Sequence, residues 1–410
     1  MHMLILGGGG ELHPRARAIR PDLRTSVVCQ QQTVPYLQQP DRIQRLVVLP
    51  AGASTAEWLA AARYIDQIDP VDRMVNYTEY DTDKTAAISE DLGLPAPSRD
   101  TYRYVSDKCA MRARLAAAGI DDTPAALVST ESEVRRFAES AGYPLICKPV
   151  SGVGSRGVSL IRSCDDIPTA LRGGAEAAHT LDVTALMVER FHEGQEFSVE
   201  AFSDRGRHLV ACVTEKHIEP TRFVELGHVL PAPLPTGSQD LVEKTVTDML
   251  SALGVENGVT HTEVILTDGV VRIVETHLRP AGDKIPKMLA HVSRIDLVDA
   301  LARQSLGLEA FEDVLAARRR FGSGPATYAA IWYASSDAGG RVDAVDGVEE
   351  ARGMDGVVEV SVDVRAGDRL SPLTMSRDRP AHAWAVGDAP EEALQRARAA
   401  VGVLRFHVSA

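Results

Sequence analysis

The chain has 410 residues, too long for one hydrophobic core, so two or three domains are expected. Hydrophobic and charged fractions of 44% and 25% are ordinary globular values, and a net charge of −13 excludes an extended nucleic-acid-binding face unless positive charge gathers locally. The five cysteines (Cys29, Cys109, Cys147, Cys164, Cys212) are scattered without a CxxC pair, which fits reduced thiols better than a disulfide framework or a zinc site. The start MHMLILGGGG is apolar for too few residues to be a signal peptide or a span, so a soluble, cytoplasmic protein is expected.

In chain order, Met3–Leu6 running into Gly7–Gly10 reads as a first strand and a tight glycine turn. The glycine run meets GxGxxG spacing only trivially, and no acidic residue ends a second strand, so a nicotinamide fingerprint is not supported. Ser26–Cys29 and Leu46–Leu49 read as further strands beside a helix at Thr55–Gln67, which predicts a small open parallel sheet. From Tyr102 the pattern changes: Ser106–Ala118 is a predicted helix with Ser106 as N-cap, ending at Gly119. A new unit opens at Thr123–Val128, followed by a helix at Ser132–Ser140, a strand–loop–strand at 143–161 and a helix from Asp165–Asp166. Strands at Met187–Glu189 and Glu196–Phe202 flank a His192–Gly194 turn; His208–Lys216 is another strand and Asp240–Leu253 a helix. Strands His261–Leu266 and Val270–Glu275 form a hairpin through Thr267–Gly269, and a helix covers Arg294–Leu306. Beyond Arg320 come a strand at Ala326–Tyr333, a turn at Gly339–Gly340, alternating segments around Val357–Val364 and a last helix at Glu391–Val401. Seams are expected near residues 100 and 320.

The stretch 143–161, YPLICKPVSGVGSRGVSLI, carries Lys148 on a strand into a loop containing Ser151, Gly152, Gly154, Ser155, Arg156 and Gly157. Glycines let backbone N–H groups approach a phosphate and let a loop close over a ligand, while a lysine supplies fixed charge. A Walker loop is absent, because the lysine precedes the glycines and a strand follows them. Taken alone, the loop reads better as an ordinary glycine hairpin with a stray lysine. Glu263 and Glu275 interrupt apolar neighbours on adjacent strands, a costly place for charge unless a cation lies between them. Oxygen ligands there suit Mg2+ held against phosphates; two solvent-facing glutamates are the plainer alternative. Glu189–Arg190–Phe191–His192 ends one strand where a backbone could meet an adenine edge, with Glu196 in reach of ribose hydroxyls. The segment Arg222–Val229 is rich in polar groups and reads either as acceptor-pocket lining or as a solvated loop.

The ordered set of Lys108, Lys148 with its glycine loop, ValGluArgPhe, GlyGlnGluPheSerVal, ThrHisThrGluVal and ValGluThrHisLeuArgPro resembles the ATP-grasp superfamily, and within it the carboxylate–amine ligase branch that includes L-amino-acid ligases. The resemblance implies an α/β (α+β) ATP-grasp fold: a Rossmann-like pre-ATP-grasp domain over 1–100, the grasp proper over 101–320 with a lid at about 122–187, and a C-terminal α+β portion over 321–410. It implies that Lys108 and Lys148 contact ATP phosphates, and that Ser151 to Gly157, including Gly154, Ser155 and Arg156, form the closing flap. Glu189, Arg190 and Phe191 match the adenine hinge, and Glu196 the ribose-binding acid. Glu263 and Glu275 match the pair that bridges two Mg2+ (or Mn2+) ions, and Arg279 the arginine that neutralises the transferring phosphoryl group. His277 stands where much of the superfamily has asparagine as a third metal ligand; hard cations prefer oxygen, so it coordinates weakly or serves the substrate.

The implied reaction activates a carboxylate as an acyl-phosphate, attacked by an amine, with amino acids or derivatives as partners and no nucleic acid or membrane. Homodimers are common among such proteins. His261, His277 and an acid in Glu225–His228 are candidates for the base, with Glu225, His228, Arg279, Gly282 and Asp283 toward substrate. Asp283 is placed to pair with an ammonium; dipeptide-forming relatives carry a bulky residue there. A bicarbonate- or formate-activating grasp enzyme, or a nucleotide-binding protein without turnover, are the alternatives.

Overall fold

The computed structural model describes every residue except 79–80, 153, 181–184, 324–326 and 410. Val153 of the glycine loop and Ala326 of an expected strand therefore lie outside the described residues.

The first sheet is parallel. Strand His2–Leu6 lies between Arg24–Gln30 and Arg73–Asn76, with Arg45–Leu49 outermost beyond Arg24–Gln30. Its first strand is buried throughout, since apolar side chains meet helices on both faces. Trp58, Ala62 and Ile65 from helix Thr55–Ile68 cover Leu4 and Leu6, while Ala16 packs with Met3 and Ile5. Ser54 and Glu57 start that helix with a reciprocal capping box, which satisfies backbone donors the first turn would leave unpaired.

A second, antiparallel sheet of four short strands runs Ala125–Val128, Leu186–Arg190, Leu145–Pro149, Ser159–Ile161 in spatial order. Helices Glu131–Ala141 and Ile167–Thr180 bury Val134, Ala138, Ile167 and Ala170 against it. Full burial of each such branched side chain contributes about 1.5–3 kcal/mol.

The largest sheet has eight strands in the spatial order Val270–His277, Gly258–Thr267, Gln195–Asp204, Arg207–Glu219, Val224–Leu230, Tyr328–Tyr333, Ala381–Gly387 and Val357–Val362. Strands on either side of residue 320 thus hydrogen-bond in one sheet, with Gly227 opposite Trp332. A three-stranded sheet of Arg369–Leu370, Gly340–Asp346 and Arg405–Ser409 completes the fold.

Three local expectations are corrected. The helix expected over 106–118 is found as Lys108–Ala117, but Ser106 is not its N-cap: it ends a separate preceding helix, Arg99–Ser106. Ser106 spends its hydroxyl on the Tyr102 carbonyl, and Asp107 caps the second helix by accepting from the N–H groups of Cys109 and Ala110. The helix expected over 294–306 begins at Leu297, because Arg294 turns left-handed (φ 63°) to end helix Ile285–Ser293 and Asp296 caps the next. Most of the polar segment 222–229 belongs to strand Val224–Leu230 rather than a loop, paired with Arg207–Glu219 on one side and, from Gly227 on, with Tyr328–Tyr333 on the other.

Candidate active site

Lys108 and Arg112 lie one turn apart on helix Lys108–Ala117 and so share a face. The Lys108 ammonium is 2.8 Å from Glu275 Oε2 and donates to the Gly152 carbonyl at 3.2 Å. Lys148, on the wholly buried strand Leu145–Pro149, donates to Glu189 Oε1 at 2.6 Å. Arg112 holds the other oxygen of Glu189 at 2.9 Å and reaches Asp121 at 3.2 Å. Burial alone would push the Glu189 carboxyl up, but Lys148 and Arg112 outweigh it and bring it down to about 2. The Glu189 side chain therefore belongs to the cationic wall.

At the hinge, the N–H groups of Arg190 and Phe191 donate to the carbonyls of Pro124 and Pro144. Those two donors hold the strand end, and Arg190, Phe191 and His192 line the pocket beside it.

Glu263 and Glu275 are directly opposed. The hairpin turns on Asp268 and Gly269, both at positive φ (49° and 74°), which suits a two-residue primed turn. Running back from that turn, simple pairing would set Glu263 against Val274; a bulge between Glu263 and Val264 shifts the register, so Glu263 meets Glu275 and His261 meets His277. The two imidazoles stack with centroids 6.1 Å apart.

Each carboxylate has its own cation. Lys216, buried on Arg207–Glu219, lies 3.0 Å from Glu263 and 3.5 Å from Glu225, and also pairs with Glu196. Burial pushes Glu263 up, yet Lys216 and His261 hold it well below the carboxylate range. Burial raises Glu196 to about 7, Lys216 and the neighbouring Glu263 acting in opposite directions. Against its burial, Lys108 and His277 likewise depress Glu275. His261 donates from Nδ1 to Glu200 at 2.8 Å; although burial opposes it, Glu200 and Glu263 raise the imidazole to about 10. Its other ring nitrogen, Nε2, lies 3.5 Å from Glu263, so both nitrogens of His261 face carboxylates.

Lys108, Lys148, Gly154, Ser155, Arg156, Glu189, Arg190, Phe191 and Glu196 line one pocket of about 140 Å3 with Glu225, Glu263 and Glu275. Ser151 and His277 instead line an adjoining cleft of about 1920 Å3 that opens toward the first sheet and meets the pocket at Lys108 and Gly152. Gly157 packs against Pro149 and Ala177 at φ 76°. In the glycine loop, Ser155 donates to the Phe223 carbonyl at 2.6 Å.

Two facing carboxylates in a buried pocket are hard oxygen donors of the kind Mg2+ takes alongside phosphate oxygens. Among the described residues, however, no three His, Cys, Asp or Glu side chains group closely enough to hold a metal by themselves. The three-ligand set Glu263–Glu275–His277 is corrected to two, because His277 Nε2 is 3.0 Å from Glu275 Oε1 and donates to that oxygen.

The expected substrate residues divide. Glu225 lines the pocket, whereas His228, Arg279, Gly282 and Asp283 lie outside both walls. Arg279 donates to the Pro280 carbonyl at 2.9 Å, and its charge is felt at Tyr77 on the cleft wall. Both Asp283 oxygens are engaged, by Arg379 at 2.7 and 2.8 Å and by His228 at 2.9 Å, so pairing with a substrate ammonium is corrected to an internal ion pair. Arg112, Lys216 and Arg379 are the site residues that sequence reasoning missed. The spacing of four between Lys108 and Arg112 is the one signal that pointed to any of them.

Residues 141–287 match the family model of the ATP-grasp domain, and residues 332–409 match the L-amino acid ligase C-terminal domain 2. The chain is 27% identical over 294 residues to uncharacterized protein y4rH of Sinorhizobium fredii, covering 71% of this chain and 58% of that protein. It is 23% identical over 251 residues to alanine–anticapsin ligase of Bacillus subtilis, covering 56% and 53%. It therefore spans little more than half the length of these relatives. The fold is similar to the crystal structure of an L-amino acid ligase from Bacillus licheniformis, with a TM-score of 0.83 over 100% of this chain and 99% of that one at 22% identity. Among the described residues no helix is long and apolar enough to cross a membrane.

Proposed function

Because the chain belongs to the ATP-grasp superfamily and carries a C-terminal part of the L-amino-acid-ligase type, we propose that it is an ATP-dependent ligase joining the carboxylate of an amino acid or derivative to an amine. The observation that carries this reading is the register pairing of Glu263 with Glu275 in a pocket shared with Lys108 and Lys148.

Phosphoryl transfer needs positioning and charge neutralisation more than covalent help from the protein. Mg2+ held by Glu263 and Glu275, as one ion or two, would neutralise phosphate oxygens. On nucleotide binding Lys108 exchanges Glu275 for a phosphate, while Lys148 stays anchored by Glu189 and presents its charge from the wall. Arg156 on the flap adds positive charge where the acyl-phosphate would form; the resemblance gives Arg279 the same task, from the strand end beyond the pocket wall. Closure of the glycine flap keeps water from that intermediate. The wide cleft next to a tight pocket favours a bulky carboxylate over bicarbonate or formate.

The test is ADP release across pairs of amino acids and amines, with mass spectrometry of the products. Condensation products formed in step with ADP support the reading. ADP formation with bicarbonate or formate, and with no amino acid, would overturn it.

A further inference from the structure

We propose that Arg379 is a positioning residue for ligation: from the C-terminal part of the chain it holds a strained corner, Asp283–Lys284, and thereby fixes the chain end that carries Arg279. The proposal rests on the ligase reading above.

Asp283 and Lys284 are consecutive non-glycine residues in the left-handed region, at φ 49° and 63°. Such backbone costs free energy and persists only where its surroundings over-determine it. Arg379 supplies that determination. Its side chain is 8% exposed, and its two terminal nitrogens grip both Asp283 oxygens at 2.7 and 2.8 Å. The remaining donors go to the Ser376 carbonyl at 2.7 Å and the Glu225 carbonyl at 3.0 Å, and the guanidinium lies 3.7 Å from the centroid of the Tyr333 ring. A planar fork that grips, bridges and stacks at once is a task lysine cannot perform.

The turn that presents Arg379 is itself fixed, because Asp378 accepts from the N–H groups of Thr374 and Met375. It also touches two other parts of the site. Ser376 donates to Glu225 Oε2 at 2.9 Å, and Arg156 of the flap donates to Met375 Sδ at 3.6 Å. An ion pair serving stability alone would have no need to meet the flap, the pocket strand and the corner after Arg279 together.

The experiment compares wild type, Arg379→Ala, Arg379→Lys and Asp283→Asn for ADP affinity, kcat of ADP formation and hydrogen exchange of amides 281–285. Arg379→Ala is expected to lower kcat about 100-fold with ADP affinity changed less than about threefold, and to raise exchange at 281–285 about tenfold. Arg379→Lys restores neither, and added guanidinium partly restores Arg379→Ala. A folded Arg379→Ala with kcat within about threefold of wild type, or with unchanged exchange at 281–285, overturns the proposal. Should Arg379→Ala fail to fold, Arg379→Lys and Asp283→Asn carry the same readouts. Absence of ADP formation by the wild type would sink the ligase reading instead, and the exchange comparison then decides the role of Arg379 by itself.

Discussion

Glu263 and Glu275 face each other across adjacent strands, yet each is neutralised from a different direction: Lys216 approaches Glu263 at 3.0 Å, and Lys108 approaches Glu275 at 2.8 Å. The pair is thus held charged and apart by cations from two other elements. An incoming metal–nucleotide complex replaces internal partners, so no bare carboxylate has to be desolvated at that moment.

Glu275→Gln keeps the shape of the side chain and removes its charge. ADP formation is expected to fall about 10²–10³-fold with far-UV circular dichroism unchanged, and Glu263→Gln should behave alike. Normal turnover in either variant contradicts the assignment.

Lys216→Met leaves Glu196, Glu225 and Glu263 without the buried ammonium they share. The expected loss is on the order of 3–5 kcal/mol, seen as a lower Tm. Mg2+ alone should then raise the Tm of the variant more than that of wild type, since a divalent ion replaces the missing charge. An equal response in the two proteins would show that Lys216 and the metal serve different sites.

Much of this was legible in order but not in contact. The strand–loop–strand at 143–161 and the hairpin at 261–275 stand out because lysine or glutamate interrupts an apolar run beside glycine. The direct meeting of Glu263 with Glu275 was not readable, as it depends on a one-residue bulge that pattern alone does not reveal. Lys216 and Arg379 escaped because single cations near a strand end or in a turn look like solvated surface until distant carboxylates fold onto them. The break at Arg294 was missed although Asp296 before Leu297 is an N-cap signal.

Stability should depend on acid through Glu189. Its folded-state value is depressed from 4.5 to about 2, so the stability it contributes is fully present above 4.5 and is lost as pH falls toward 2. Glu189→Gln strands Lys148 and Arg112, lowering stability at pH 7 by on the order of 3 kcal/mol. Thermal melts from pH 7 to 2.5 should show the gap between wild type and variant closing below about pH 4.5. A gap constant with pH would mean that the glutamate carries no such charge.

Gly157 and Gly154 both take positive φ, 76° and 65°, but only Gly157 is crowded: a Cβ there would stand 2.5 Å from that of Ala177, whereas none lies within 4 Å at Gly154. Gly154→Ala should cost about 1–2 kcal/mol through backbone strain alone. Gly157→Ala adds overpacking of about 1–3 kcal/mol and should raise KM for ATP more steeply. Equal effects on Tm and KM would show that the base of the flap is looser than drawn.

The most direct measurement is a crystal structure with Mg2+ and a non-hydrolysable ATP analogue. The account predicts metal density between Glu263 and Glu275 and a phosphate tail under residues 151–157, with Lys108 moved from Glu275 onto a phosphate oxygen. Nucleotide bound elsewhere, with Lys108 still on Glu275 and no ion between the two glutamates, would contradict it.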